Sequence, residues 1–309
     1  MKKIILACAG LAISGAALAA PNAECKSVQF ADVGWTDITA TTALASEVLA
    51  GMGYEPDAKV LSVPVTYRSM KNEDIDVFLG NWMPTMEADV RPYLDSGDVE
   101  TVVTNLEGAK YTLAVPQYVY DAGVTSFADI AKNTDQFDGR IYGIEPGNDG
   151  NRLIQDMIEK DAFGLGEFRV VESSEAGMLS QVGRAVRRDE WVVFLAWEPH
   201  PMNANHELAY LDGGDDFFGP NYGGATVHTN VRKGYLSECP NVGKLLSNMT
   251  FSLAMENEVM GAILNDGEEP RDAAHAWLAN NPAVLEDWLK GVSTLNGDAA
   301  LAAVKASLK

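Results

Sequence analysis

The sequence predicts an α/β protein of two lobes with a helical C-terminal tail. Short apolar runs typical of buried strands alternate with helical patterns through the first two-thirds of the chain, and the last third is helical. The chain has 309 residues, and the 290 that follow position 19 exceed the comfortable size of one hydrophobic core. Both observations favour two domains.

The first α/β unit is predicted from the order of its elements. A strand at 28–33 precedes a helix at 39–52, for which Thr39 or Thr41 is the candidate N-cap. Repetition of strand and helix predicts a parallel sheet. The unit continues as strand, helix and strand at 59–65, 67–72 and 75–79.

The alternation resumes after a strand at 110–116, which Pro116 ends. Helical periodicity predicts helices at 126–132, 152–160 and 178–188, and apolar runs predict strands at 140–144, 168–172 and 191–197. An irregular segment rich in Gly, Asp and Asn then leads to a strand at 225–231. The tail is predicted as four helices at 242–254, 256–264, 270–280 and 282–290.

The N-terminus has the three parts of a secretory signal peptide. Met1-Lys2-Lys3 is the charged start, residues 4–17 are mostly apolar, and Ala17-Leu18-Ala19 provides small residues for cleavage. We therefore expect residues 1–19 to be removed and the mature protein to be soluble and periplasmic. A weak lipoprotein-like box at 5–8 is the alternative, disfavoured by the short segment before it.

The charge balance is strongly acidic. The formal net charge is −21, and without residues 1–19, which hold two lysines and no acids, it becomes −23. A surface of this sign repels nucleic acid and anionic lipid, so neither is an expected partner. It favours a cationic solute, although solubility alone also explains it.

The mature chain keeps two cysteines, Cys25 and Cys239. In an oxidising compartment a disulfide is the preferred interpretation, and two free thiols are the alternative. The chain-entropy model credits a loop of this length with roughly 5 kcal/mol.

A bridge between these cysteines would place the mature N-terminus beside the region near residue 239. The simplest layout is then a first lobe made of residues 20–111 and 207–309, with residues 112–206 inserted as the second lobe. The chain would cross between the lobes twice, which describes a hinged clamp.

Three of the six tryptophans, Trp35, Trp82 and Trp197, stand where predicted strands end. Open α/β sheets bind their ligands at the carboxyl ends of strands. Indole faces near a carboxylate suit quaternary ammonium cations, whereas packing between lobes is the alternative role for each ring. The remaining three, Trp191, Trp277 and Trp288, are expected to be structural.

No enzyme signature accompanies these residues. The Gly-rich turn at 143–150 carries acids where a phosphate would lie and lacks the Lys-Ser/Thr of a nucleotide site. A Gly-x-Ser-x-Gly elbow is absent from the sequence, and His200 and His206 do not have zinc-ligand spacing. We expect no catalytic residue, cofactor or metal, and an enzyme that processes choline esters is the less favoured alternative.

Six segments, taken in order, resemble one family. They read G-W-T-D at 34–37, D-V-F-L-G-N-W-M-P at 76–84, K-Y-T-L-A-V-P at 110–116, G-N-D-G at 147–150, A-W-E-P-H at 196–200 and A-W-L-A-N-N-P at 276–282. This set resembles the substrate-binding proteins of ABC transporters for glycine betaine, proline betaine and choline, and most of all the choline-binding members.

The resemblance implies a type II periplasmic binding-protein fold with the ligand held between two lobes. It also implies delivery of that ligand to a membrane permease driven by a cytoplasmic ATPase. Choline is the expected ligand, with acetylcholine as a further candidate, and the protein is expected to be a monomer.

Carried over residue by residue, the resemblance implies an aromatic box and two polar contacts. Asp37 and Asn148 would engage the choline hydroxyl, and Asp37 would also offset the ammonium charge. Cys25 and Cys239 would form the disulfide of the family. The box walls would be Trp35, Trp82, Tyr111 and Trp197.

Asp37 discriminates between the candidate ligands. A carboxylate accepts a hydrogen bond from the choline hydroxyl but repels the carboxylate of glycine betaine, so choline is preferred and a betaine is the alternative. The other interpretation of Asp37 is an N-cap of the helix predicted at 39–52. Asn148 could equally fill its turn, for which Asn is a usual residue.

Overall fold

The computed structural model describes residues 23–309, so the predicted signal peptide at 1–19 lies outside the described residues. Within them, nine strands form one sheet. The strands are β1 (Ser27–Asp32), β2 (Glu55–Val60), β3 (Val77–Met83), β4 (Val99–Pro116), β5 (Arg140–Tyr142), β6 (Arg169–Val171), β7 (Phe194–Glu198), β8 (Leu208–Tyr210) and β9 (Gly224–Arg232).

Helices cover the sheet and form the C-terminal part of the chain. No helix within residues 23–309 combines the length and the hydropathy that crossing a bilayer requires. The α-helices are α1 (Thr36–Gly51), α2 (Val63–Lys71), α3 (Glu87–Ser96), α4 (Gln117–Asp121), α5 (Phe127–Ile130), α6 (Asp149–Glu159), α7 (Glu175–Val186), α8 (Met202–Asn205), α9 (Asp215–Phe218), α10 (Pro220–Gly223), α11 (Tyr235–Glu238), α12 (Pro240–Asn248), α13 (Leu253–Leu264), α14 (Pro270–Asn280), α15 (Val284–Trp288) and α16 (Ala300–Ser307).

The strands lie in the order β2-β1-β3-β9-β4-β7-β5-β6, and β8 pairs with β4. β1 is parallel to β2 and β3, and β5 is parallel to β6 and β7. Between these two groups, β9 runs antiparallel to β3 and to β4, and β4 runs antiparallel to β7. The predicted parallel sheet is therefore confirmed for β1 to β3, while the complete sheet is mixed.

β4 joins the two parallel groups. Its first part, residues 99–110, pairs with β9, and residues 110–116 pair with β7 and β8. The sequence predicts a strand only over 110–116, whereas β4 spans 18 residues. Register shifts interrupt its pairing with β9, and such irregularities break the alternation of apolar residues from which a strand is predicted.

The C-terminal helices cover α1. Of its 16 residues, 12 are buried, and it packs against α13, α14 and α16 as well as β1 to β3. Because residues on almost every side of α1 are buried, other elements have to cover the helix on every side. The tail supplies that cover, so the first and last parts of the chain share one core.

α1 begins at Thr36, three residues before the predicted start at 39, so the prediction of Thr39 or Thr41 as its N-cap is wrong. Gly34 adopts a left-handed φ of 79° and Trp35 is extended. The carbonyl of Trp35 then accepts the first helical hydrogen bond, from the Thr39 N–H at 2.9 Å.

The strand predicted at 59–65 is also wrong. β2 ends at Val60 and α2 begins at Val63, with Pro64 in its first turn. Proline has the φ of a helix and lacks an N–H that the first turn would leave unpaired. The run of β-branched residues indicated a strand, but the proline starts a helix.

The tail helix predicted at 242–254 is two helices. α12 ends at Asn248, and α13 begins at Leu253 because the Ser252 hydroxyl accepts the Met255 N–H at 3.2 Å and caps it. α14 has the predicted bounds. α3 and α16 are additional helices that the sequence pattern did not predict.

The disulfide between Cys25 and Cys239 is confirmed, with a Cα–Cα distance of 5.5 Å. It joins the segment before β1 to the start of α12. The start of the first strand is thus tied covalently to the beginning of the helical C-terminal part.

Removing this bridge should lower stability without changing the fold. For the double variant Cys25→Ser/Cys239→Ser we expect the free energy of unfolding to fall by up to roughly 5 kcal/mol, because the unfolded chain regains loop freedom. Urea denaturation with and without reductant measures the loss. Reductant should destabilise the wild type alone, and an unchanged wild-type midpoint in reductant would contradict the structural role.

Candidate ligand-binding site

Four aromatic side chains meet at one cavity. Trp35 precedes α1, Trp82 lies near the end of β3, and Tyr111 and Trp197 face each other directly across β4 and β7. Ring centroids of Tyr111 lie 6.0 Å from Trp82 and 6.2 Å from Trp197. All four residues are at most 6% exposed. The predicted aromatic residues therefore converge.

About 250 Å³ of empty space, part of it open to solvent, lies between the residues that line the cavity. It suits a small molecule. Of the described residues that line it, two are acids and none is basic. The full lining is Trp35, Asp37, Trp82, Tyr111, Ile144, Asp149 and Trp197.

Two glycines allow the close approaches that build this wall. A Cβ on Gly80 would lie 2.7 Å from Ile38 of α1, and one on Gly150 would lie 2.1 Å from the Tyr111 hydroxyl oxygen. Both distances are too short for any side-chain carbon. A larger residue would push α1 away from β3, or Tyr111 away from α6.

Asp37 lies in the first turn of α1 and is 1% exposed. Its Oδ2 accepts a hydrogen bond from Trp82 Nε1 at 3.1 Å, whereas Oδ1 has no partner among the described residues. Burial, followed by the negative charge of Glu175, raises the pKa of Asp37 to about 8. Asp37 is therefore a wall residue with a free acceptor, and the alternative N-cap role is wrong.

Asn148 lies beside the cavity as the N-cap of α6. Its Oδ1 accepts from the N–H groups of Gly150 at 2.8 Å and Asn151 at 3.2 Å, and from the Tyr111 hydroxyl at 2.9 Å. Three donors occupy this oxygen, and the Nδ2 amide lies 3.3 Å from Asp149 Oδ1 and 3.4 Å from Glu145 Oε1. Contact between Asn148 and a ligand hydroxyl stays a prediction.

Asp149 is a wall residue that the sequence analysis missed. It is fully buried, and within residues 23–309 its Oδ2 has no hydrogen-bond partner. Burial raises the pKa of Asp149 to about 6. An acid in the first turn of a helix is usually explained by the helix dipole, which is why its position in the sequence carried no signal of a site.

Contacts across the cavity join the two predicted lobes. Trp35 Nε1 donates to Glu145 Oε1 at 2.9 Å, and Arg152 pairs with Asp89 through two bonds of 2.8 and 2.9 Å. Burial raises the pKa of Glu145 to about 7, and the bond from Trp35 opposes that shift. Both contacts join a residue of the first predicted lobe to a residue of the second.

A third contact joins the N-termini of α1 and α7. Glu175 Oε2 accepts from the Thr36 N–H at 2.9 Å, and Glu175 Oε1 lies 3.1 Å from His200 Nε2. The Met202 N–H donates to His200 Nδ1 at 2.9 Å, so Nε2 carries the proton and donates to Glu175. Glu175 thus holds the start of α1, where Trp35 and Asp37 lie.

This arrangement can bind a small cation. Among residues 23–309, no cluster of His, Cys, Asp or Glu could hold a metal ion. Aromatic faces and buried carboxylate oxygens both favour positive charge.

The chain is similar in sequence to one family of transport proteins. The model of the family described as "Substrate binding domain of ABC-type glycine betaine transport system" matches residues 26–280. The "Glycine betaine/carnitine transport binding protein GbuC" of Listeria monocytogenes serotype 1/2a (strain 10403S) is 30% identical over 164 residues, which is 53% of this chain and 53% of that protein. The chain thus matches about half the length of that relative.

Two solved structures are similar over almost the whole chain. One is an "ABC-transporter choline binding protein in complex with choline", with a TM-score of 0.91 at 66% identity, covering 93% of this chain and 99% of that chain. The other is described as the same kind of protein in an "unliganded semi-closed conformation", with a TM-score of 0.85 at 66% identity, covering 92% and 99%. They confirm the predicted type II periplasmic binding-protein fold. The lobe boundaries at 111/112 and 206/207 stay a prediction.

Replacing Asn148 should cost more stability than the loss of a helix cap alone, because its side chain also accepts the hydrogen bond from Tyr111. Asn148→Ala removes the α6 cap, which costs about 1 kcal/mol, and also leaves the buried Tyr111 hydroxyl without its acceptor, which costs about 1–3 kcal/mol more. The matched control is Ser174→Ala, which removes the cap of α7, a 3.1 Å bond from the Gly177 N–H. Chemical denaturation compares the two variants. Equal losses would contradict the role of the Tyr111 bond.

Proposed function

Because the chain belongs to the family of substrate-binding domains of ABC-type glycine betaine transport systems, we propose that it captures choline in the aromatic cavity and delivers it to the permease of an ABC importer. The family role is substrate binding rather than catalysis, in agreement with the prediction that the chain is not an enzyme. The ligand, the residues that hold it and the partners are what we propose.

The observation that carries the proposal is the combination of four aromatic walls with two buried acids. A trimethylammonium group cannot donate N–H hydrogen bonds, so a carboxylate alone holds it poorly. Ring faces supply a negative quadrupole together with apolar contact, at about 2 kcal/mol for each desolvated ring. Four rings supply roughly 8 kcal/mol, the free energy of micromolar binding, before association costs are met.

Choline fits this wall better than a betaine does. The free Oδ1 of Asp37 can accept the choline hydroxyl, and the carboxylate of glycine betaine would face it with like charge. The solved protein that is 66% identical to this chain is described in complex with choline, which supports the same choice. Glycine betaine is the second candidate, favoured by the description of the family.

Closure of two lobes would complete the site. We infer that residues 20–111 and 207–309 form one lobe and residues 112–206 the other, so that Trp35–Glu145, Thr36–Glu175 and Asp89–Arg152 become contacts between lobes. Enclosing the ligand excludes water, which strengthens each electrostatic interaction inside. The higher TM-score with the choline complex than with the unliganded protein supports a closed conformation here.

The family role places the chain outside the cytoplasm, because an importer collects its substrate there. We further propose that residues 1–19 direct export to the periplasm. The partners would be a membrane permease and its cytoplasmic ATPase, and the protein would act as a monomer. Acetylcholine is a further candidate ligand, and the small cavity makes it a test of how far the site can expand.

Trp197 should be essential for binding and dispensable for folding. Trp197→Ala removes one ring face, so we expect choline affinity to fall by roughly thirtyfold, the equivalent of about 2 kcal/mol. Isothermal titration calorimetry measures the affinity, and circular dichroism checks the fold. The matched control is Trp277→Ala, which removes an indole that bonds Glu258 at 2.6 Å outside the cavity. Equal affinity of the two variants would refute the aromatic box.

Choline affinity should rise with pH between about 6 and 8, the range in which the pKa values of Asp149, Glu145 and Asp37 lie. A bound cation favours the ionised carboxylates and so lowers their pKa values. Binding therefore releases protons, and affinity falls as the pH drops below those pKa values. Titrations in buffers of different ionisation enthalpy count the protons.

The matching variant for this test is Asp37→Asn, which should weaken choline binding and reduce the pH dependence. A wild-type affinity that does not change with pH would show that the carboxylates do not meet the cation.

A further inference from the structure

Asp149 reaches the cavity from the opposite side to Asp37. Asp37 stands at the start of α1, whereas Asp149 stands at the start of α6, in the predicted second lobe. Both side chains line the same cavity, and each has one buried oxygen without a partner in the described part of the chain. The cavity thus carries a free carboxylate oxygen from each side.

The surroundings of Asp149 do not neutralise it. The titratable groups that face it are Tyr111 on β4, Tyr67 on α2, Asp89 on α3, Arg152 on α6 and Glu145 in the turn before α6. The guanidinium of Arg152 makes its two short bonds with Asp89. The two phenols stay neutral because burial raises the pKa of each well above its usual range.

The hydroxyl of Thr85 lies near Asp149. A hydrogen bond from this hydroxyl opposes the upward shift in the pKa of Asp149, and the same hydroxyl lies 3.4 Å from the Trp82 carbonyl oxygen. Asn148 Nδ2 lies 3.3 Å from Asp149 Oδ1, the other oxygen. Oδ2 has no hydrogen-bond partner among residues 23–309, so it is the oxygen left for a ligand.

We propose that Asp149 is a second ligand-facing carboxylate, and that with Asp37 it sets the specificity of the site for cations that carry no carboxylate. This inference rests on the proposed function, because it concerns the same cavity. With an acid on each side of the cavity, each end of a bound ligand lies near a carboxylate. Choline brings a cation and a hydroxyl donor, and both its ends are satisfied.

Glycine betaine meets the opposite situation. Its carboxylate would lie against Asp37 or Asp149 in a buried cavity, where two like charges cannot both stay ionised. Binding a betaine would then require uptake of a proton, whereas binding choline releases protons. The two ligands should have opposite pH dependence, and the ratio of their affinities should report on Asp149.

The experiment compares calorimetric titrations of choline and glycine betaine with wild type and Asp149→Asn at about pH 6 and pH 8. Asparagine keeps the shape and removes the charge. We expect the preference for choline over glycine betaine at the higher pH to fall at least roughly tenfold, through weaker choline and tighter betaine binding. The matched control is Asp156→Asn, which removes an exposed charge from the same helix and should keep the wild-type preference.

The outcomes separate the inference from the function on which it rests. If wild type binds choline and the preference is the same in Asp149→Asn, the inference is overturned and the proposed function stands. If wild type binds no choline, both fail. The wild-type arms need no variant: betaine affinity that rises with pH, as choline affinity does, would also overturn the inference.

Discussion

Buried carboxylates that lack a positive partner are the constraint on which this site depends. Asp37 and Asp149 are almost fully buried, and each keeps one oxygen that no donor satisfies in the described part of the chain. Placing a charge in such surroundings costs several kcal/mol per ion. Each acid therefore either holds a proton or meets a cation, and the raised pKa values of both express that choice. The aromatic walls decide which cation, because ring faces hold methylated nitrogen where hydrogen-bond acceptors cannot.

The rest of the fold keeps those groups in place. β4 carries Tyr111 at the point where the two parallel groups of strands meet, opposite Trp197 on β7. α1 places Trp35 and Asp37 on one turn, and the C-terminal helices cover the other sides of α1. The disulfide ties the segment before the first strand to the start of α12. A tail far from the cavity in sequence thus positions a wall of the site.

The sequence predicted most of the residues that line the cavity, and it predicted the elements that carry them less well. Trp35, Trp82 and Trp197 could be found because a tryptophan beside Gly, Asn or Pro at a strand end is unusual in a core. Tyr111, inside a strand, rested on the resemblance alone. Asp149 could not be found, because an acid at the first position of a helix is explained by the helix dipole, and only the packing of α6 against Tyr111 turns it towards the cavity. The start of α1 was missed for a related reason: its first turn depends on the left-handed Gly34, which a propensity pattern does not reveal.

The central claim is that the cavity binds positive charge rather than merely a small apolar shape. The most direct measurement compares choline with 3,3-dimethylbutan-1-ol, which has the same outline and the same hydroxyl but a carbon in place of the charged nitrogen. Calorimetric titration of the wild-type protein with each compound isolates the charge. We predict that the neutral compound binds at least roughly a hundredfold more weakly, the equivalent of about 2.7 kcal/mol. Equal affinity for the two compounds would contradict the account.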